Sequence, residues 1–195
     1  MTSPLSHVGG ALRSFTLAAL TSVIALSLSA CSGTTGGGSS DPKTPAPDGA
    51  PASSGSAPEF SLPALDGSTV HLSDFKGKVV LIDFWSTTCD PCLAEMPHLV
   101  DLYNANKDKG LVVLAVSLDG PETRAQVSTI VHDKGMVFPV LLDEETSVVA
   151  QYNPKREMPF SVVVGKDGSI AWQRAGYQPG SEAQITSAVE KALAK

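Results

Sequence analysis

Cys89-Asp90-Pro91-Cys92 stands between a short, almost wholly apolar run, Val79 to Trp85, and a stretch with helical spacing. No other feature constrains the chain as much. Two cysteines separated by two residues can close a small disulfide ring. If Cys89 opens a helix, its sulfur faces backbone N–H groups that lack intrahelical partners and the positive end of the dipole. Both favour thiolate, the form that attacks disulfides. Strand, short loop and Cys-x-x-Cys at a helix start therefore read as a thiol–disulfide exchange site. Two other readings stand beside it. One is half of a zinc site, but no cysteine follows Cys92, and His98 and His132 are too far apart for the usual His pair. No metal ligand is assigned on that ground. The other is an inert structural disulfide.

The chain has 3 cysteines, and the odd one is Cys31. Phe15 to Leu28 is an apolar stretch preceded by Arg13, with no acidic residue before it. This pattern predicts a signal peptide over residues 1–30. The stretch is short for a membrane-spanning helix and rich in Ser and Thr. It ends Leu28-Ser29-Ala30-Cys31, which resembles the lipobox of bacterial lipoproteins. The resemblance implies cleavage before Cys31 and lipid on its sulfur. Ordinary secretion, with Cys31 discarded or unpaired, is the alternative.

From Ser32 to Pro58 there is no aromatic residue and no aliphatic larger than Ala. Such a segment buries too little apolar surface to offset its ordering entropy. Residues 31–58 are expected to be a disordered tether spanning roughly 30 Å root-mean-square. Residues 59–195 suit one domain. The net charge of −6 argues against nucleic acid as a partner.

Within the domain, Phe60–Leu65 and Thr69–Leu72 flank Asp66-Gly67-Ser68 and predict a β-hairpin. The run from Val79 predicts a strand buried on both faces. Pro91 fits the first helical turn, Pro97 is expected to kink that helix, and Gly110 to end it. Further elements are predicted at Leu111–Leu118 (strand), Glu122–Lys134 (helix), Phe138–Leu142 (strand) and Glu144–Tyr152 (helix). A hairpin follows, Phe160–Val164 with Ile170–Arg174, and then a helix from Ser181. The order indicates an α/β fold, a mixed sheet covered by helices on both sides.

Phe84-Trp85 running into Cys89-x-Pro91-Cys92, then Glu95 and Pro97, then Pro159 followed by Val162-Val163-Val164 and Gly168, resembles thioredoxin-like proteins. More narrowly, it is similar to the membrane-anchored branch containing TlpA and ResA, from about Pro58 to the C-terminus. The resemblance implies a thioredoxin fold with an N-terminal hairpin extension, and redox exchange with protein partners. By position, Cys89 is the exposed nucleophile and Cys92 the resolving thiol. Pro159 is then a cis-proline beside the disulfide. Met158 precedes it at a position where relatives contact partner chains and commonly carry Thr, Val or Ile. Thr88 stands where many relatives have Trp, and Gly165 replaces an acid.

Asp83 falls where thioredoxins keep a buried carboxylate. Cys92 must lose a proton before attacking a mixed disulfide, and a buried carboxyl group with a raised pKa can accept it. The alternative is an aspartate hydrogen-bonded for structure. Glu95, one turn from Cys92, either tunes the thiols or stabilises the helix dipole. Trp85 either covers the disulfide and meets partners there or packs in the core.

These readings point to an extracytoplasmic thiol–disulfide oxidoreductase held by a lipid anchor, reducing exported proteins, with apocytochrome c as the family's substrate. Ser32 after Cys31 favours the outer membrane under the sorting rule of two-membrane bacteria. The electron donor is expected in the membrane, and no cofactor is expected. Two other functions compete. A peroxidase of the peroxiredoxin kind places Pro and Thr or Ser at fixed steps before its cysteine. Here Ser86 fits, but Ile82 occupies the proline position. A copper-delivery module uses wider cysteine spacing and a downstream His, for which His132 is the weak candidate.

Overall fold

The computed structural model describes residues 55–195. The expected signal peptide, Cys31 and the tether as far as residue 54 lie outside the described residues.

The predicted hairpin is β1 (Ser61–Pro63) against β2 (Thr69–His71), antiparallel, with Leu62 opposite Val70. Its turn is closed by Asp66, whose Oδ1 accepts the Ser68 N–H at 2.9 Å and hydroxyl at 2.7 Å. Gly67 there takes φ 88°, a conformation open to glycine at little cost.

The main sheet has five strands: β3 (Val79–Trp85), β4 (Leu111–Ser117), β5 (Val140–Leu142), β6 (Phe160–Val164) and β7 (Ile170–Ala175). Their order is β5-β4-β3-β6-β7. The β3–β4 and β4–β5 pairs are parallel, and β6 and β7 run antiparallel to their neighbours. Every residue of the central β3 is buried, which explains why six of its seven residues are apolar, Asp83 being the exception. Among the described residues four helices cover the sheet: α1 (Asp90–Asn106), α2 (Arg124–Asp133), α3 (Ser147–Tyr152) and α4 (Glu182–Leu193).

Alternation along β3 sorts the core. Val79, Leu81 and Trp85 pack with Met96 and Leu99 of α1 and with Ile185 and Val189 of α4. Val80, Ile82 and Phe84 pack on the other side with Leu62, Val149 and Tyr152. Asp83 is in phase with Leu81 and Trp85, so the period of two turns its carboxyl toward α1 and α4.

Four expected boundaries move. The helix from Glu122 begins with a 3-10 turn, Pro121–Thr123, and becomes α2 at Arg124. The strand from Phe138 starts only at Val140, because Pro139 has no N–H for the ladder. The helix from Glu144 shortens to α3, where the Asp143 carboxylate accepts the N–H groups of Val148 and Val149. α1 continues through Pro97 to Asn106, followed by a 3-10 turn that stops at Gly110 with φ 97°.

The tether also ends earlier than expected. Ser56 bridges Ser169, Ile170 N–H donates to Gly55 O at 3.0 Å, and Ala57 N–H donates to Gly168 O at 2.9 Å. The Tyr152 hydroxyl donates to Pro58 O at 2.5 Å. Residues 55–58 thus belong to the domain. They are held through backbone groups, which composition does not report.

Candidate active site

Between Trp85 and Cys89 the chain turns through Ser86-Thr87-Thr88. Asp119, just beyond β4, holds this loop. Its carboxylate accepts the Thr87 N–H at 2.9 Å, the Thr87 hydroxyl at 2.5 Å and the Ser117 hydroxyl at 2.8 Å. The sequence reading missed Asp119, which carries no motif; only an Asp two residues past a buried strand end marks it.

Cys89 is the N-cap of α1, with extended backbone (φ −96°, ψ 90°). Its Sγ accepts the Cys92 N–H at 3.3 Å, one of the first-turn donors that no helical carbonyl can reach. Pro91 fills the first turn at no hydrogen-bond cost. Cys89 and Cys92 are joined in a disulfide, with Cα atoms 5.2 Å apart. Cys89 is half-buried and Cys92 fully buried, while Asp90 between them is exposed.

Trp85, expected to contact partners, is fully buried in the cluster that includes Cys92. As the last inward residue of a central strand it is core, and no folded partner reaches it in this state. The Met158–Pro159 peptide is cis. Phe160 is opposite Phe84, which puts Pro159 at the Trp85 end of β3. Pro159 is buried, and its carbonyl accepts Gly176 N–H at 2.8 Å. Met158 is half-buried and packs against both core clusters.

Beneath α1 lies a row of polar side chains. Asp83 on β3 is the Cα partner of Ser161 on β6, and Ser161 is the partner of Arg174 on β7. Cross-strand partners share a face, so all three point toward α1. The Ser161 hydroxyl donates to Asp83 Oδ1 at 2.8 Å; Asp83 Oδ2 has no hydrogen-bond partner among the described residues. Burial pushes the Asp83 carboxyl well above the usual carboxylate range, and the neighbouring Glu95 charge pushes the same way.

Glu95 hangs into this row from α1, fully buried. Arg174 Nη2 donates to its Oε1, and Arg174 Nη1 donates to Ser181 O at 2.9 Å. The guanidinium also lies 5.7 Å from the Trp172 ring centroid. Burial raises the Glu95 pKa, and the Arg174 charge opposes it. Neither sequence reading of Glu95 anticipated an ion pair, because Arg174 is 79 residues away.

No group of three or more His, Cys, Asp or Glu among the described residues is arranged to hold a metal ion. His132 is exposed at the end of α2, with Nδ1 3.3 Å from Asp133 Oδ1.

The AhpC/TSA family profile matches residues 54–173. The chain is 38% identical over 122 residues to the thiol-disulfide oxidoreductase ResA of Bacillus anthracis, covering 63% of this chain and 69% of that protein. It is 42% identical over 118 residues to ResA of Oceanobacillus iheyensis, covering 58% and 60%. The fold superposes on the thioredoxin domain of a thiol-disulfide oxidoreductase from Bacteroides vulgatus with a TM-score of 0.60 at 32% identity, covering 72% of this chain and 96% of that one.

Proposed function

The chain belongs to the thioredoxin-like AhpC/TSA family and is a thiol–disulfide oxidoreductase, and we propose that it works as a lipid-tethered, extracytoplasmic reductant of disulfides in exported proteins. The observation that carries this reading is Cys89 at the N-cap of α1, its sulfur receiving the Cys92 N–H, with Asp83 buried on the same face of the sheet.

In the reduced state, the Cys89 thiolate attacks a partner disulfide. The partner S–S bond breaks, one partner sulfur leaves as a thiol after taking a proton, and a mixed disulfide forms on Cys89. Cys92 then passes its proton to Asp83 and attacks Cys89 Sγ. The second partner sulfur leaves, and two electrons have moved to the partner. The product is the Cys89–Cys92 disulfide. A membrane electron donor would return the two electrons.

The roles of the cysteines follow from access. Cys92 is 0% exposed and can reach only Cys89, whereas Cys89 is open to a partner. Reduction is favoured over oxidation because an acid, Asp90, stands between the cysteines, and the buried cation nearby, Arg174, is committed to Glu95. Negative charge opposes a very acidic thiolate, the device of strong oxidants.

Anchoring through Cys31 is supported by the lipobox-like Leu28-Ser29-Ala30-Cys31, and by where the chain joins the domain. Gly55 pairs at Ile170, which is opposite Val164, itself opposite Val80. This is the end of the sheet away from Trp85, so the chain enters the domain at the end opposite the disulfide. Apocytochrome c is the substrate class that the TlpA and ResA likeness suggests, with Met158 in contact with it.

Mixed-disulfide trapping in cells tests the assignment. Cys92→Ser is expected to accumulate exported proteins linked through Cys89, and Cys89→Ser to accumulate none. The reverse pattern overturns it.

A further inference from the structure

Arg174 has no part in the exchange steps above, yet among the described residues it is one of the few buried charges, at 8% exposure. It sits in register with Ser161 and Asp83 across three strands, and grips the one acid that α1 sends into the same space. We propose that Arg174 is a positioning residue of the exchange reaction: by holding Glu95 as a carboxylate it keeps that acid out of proton transfer and leaves Asp83 to take the proton of Cys92. The inference rests on the dithiol reading above.

The argument is one of charge in a dry space. Two carboxyl groups face the underside of α1, and both are fully buried. A buried carboxylate without a counter-ion takes up a proton rather than keep its charge. A guanidinium stays charged and binds carboxylate in a fixed planar geometry. Arg174 gives that partner to Glu95 and anchors itself on Ser181 O. Each acid has one oxygen without a hydrogen-bond partner among the described residues, Asp83 Oδ2 and Glu95 Oε2; what separates them is that Glu95 has a counter-ion and Asp83 receives only the neutral Ser161 hydroxyl. The ion pair therefore decides which carboxyl is the stronger base toward a thiol proton: the paired Glu95 carboxylate has its charge satisfied by Arg174, whereas the Asp83 carboxylate does not. It also sets the field at Asp83, where the repulsion of Glu95 outweighs the attraction of Arg174.

Other titratable groups nearby are already engaged. On α4, Glu182 acts on Glu95 from a distance and is bound by the Tyr177 hydroxyl at 2.5 Å. His98 of α1 pairs with Thr186 of α4 at 3.2 Å. On β3 and β6 the facing groups are Asp83 and Ser161, and α1 itself contributes Cys92.

Without Arg174, Glu95 would hold a proton near neutrality and its repulsion of Asp83 would vanish. The test uses the full-length chain with Cys31→Ser, so that Cys89 and Cys92 are the only thiols. The reduced protein is mixed with one equivalent of dithiobis(nitrobenzoate). Attack by Cys89 releases one thionitrobenzoate and leaves the other on its sulfur. Attack by Cys92 on Cys89 Sγ then releases the second and closes the disulfide. The rate of the second release is followed against pH.

Arg174→Met is expected to move the midpoint of that profile to lower pH, because the lost Glu95 repulsion exceeds the lost Arg174 attraction. Arg174→Lys is expected to restore most of the parent profile. Arg174→Met combined with Glu95→Gln should match Arg174→Met alone, since Arg174 acts through Glu95; it also leaves no buried charge unpaired should the single variant fail to fold. A purely structural Arg174 would lower stability and leave the midpoint in place. An unmoved midpoint in Arg174→Met, or in the double variant against the parent, overturns the proposal. A clear further shift in the double variant relative to Arg174→Met does the same. A parent protein that releases no second thionitrobenzoate overturns the dithiol reading and this inference with it.

Discussion

Ser161 and Asp83 are opposite one another in the β3–β6 pair, and the Ser161 hydroxyl donates a 2.8 Å hydrogen bond to the Asp83 carboxyl. That single neutral donor is all the described residues offer a fully buried acid, which is why burial dominates its titration.

Stability should therefore fall as pH rises. The folded-state pKa of Asp83 lies above the unfolded value of about 3.9. Between the two, the folded chain keeps a proton that the unfolded chain has lost. The associated stability is complete below about pH 3.9 and is lost as pH rises through the folded pKa. Asp83→Asn has no such loss, so its stability relative to wild type should increase from pH 4 to pH 8 in denaturant unfolding of the oxidised proteins. A difference that stays constant with pH sinks the reading. The same variant should slow the second exchange step by roughly 10²-fold.

The dithiol potential should lie near roughly −270 mV, closer to thioredoxin than to strong oxidants at roughly −120 mV. The exposed Asp90 between the cysteines opposes a highly acidic thiolate. Equilibration against dithiothreitol or glutathione buffers measures it. A value above about −180 mV contradicts the reductant assignment.

Detergent phase partitioning tests the anchor. Wild type is expected in the detergent phase and Cys31→Ser in the aqueous phase. If both stay aqueous, Cys31 carries no lipid.

Asp119→Ala should loosen the active-site loop, because it leaves the Thr87 N–H and two hydroxyls without their acceptor. The expected cost is about 1–3 kcal/mol. Amide exchange should accelerate at Thr87 and its neighbours while β3 and β4 remain protected. Unchanged exchange at Thr87 would show that the carboxylate does not hold the loop.

Much of this domain was legible in its sequence because the relevant signals are local. The almost wholly apolar β3 required cover on both faces, Asp-Gly marked the first hairpin, and Pro91 after Cys89 marked the start of α1. The same locality exposed the Cys89–Cys92 pair. Family likeness supplied the cis bond at Pro159 and the buried position of Asp83. What stayed hidden lies between residues far apart in the chain. Arg174 reaches Glu95 across 79 residues, and Asp119 reaches Thr87 across 32. Gly55 to Pro58 join the domain through main-chain groups that every residue carries. The burial of Trp85 follows from the phase of β3 and from α1 lying over it, not from its own identity. Side-chain periodicity tells which face a residue takes. Only strand register and helix placement decide which residue it meets there, and in this protein that choice determines which buried acid has a counter-ion.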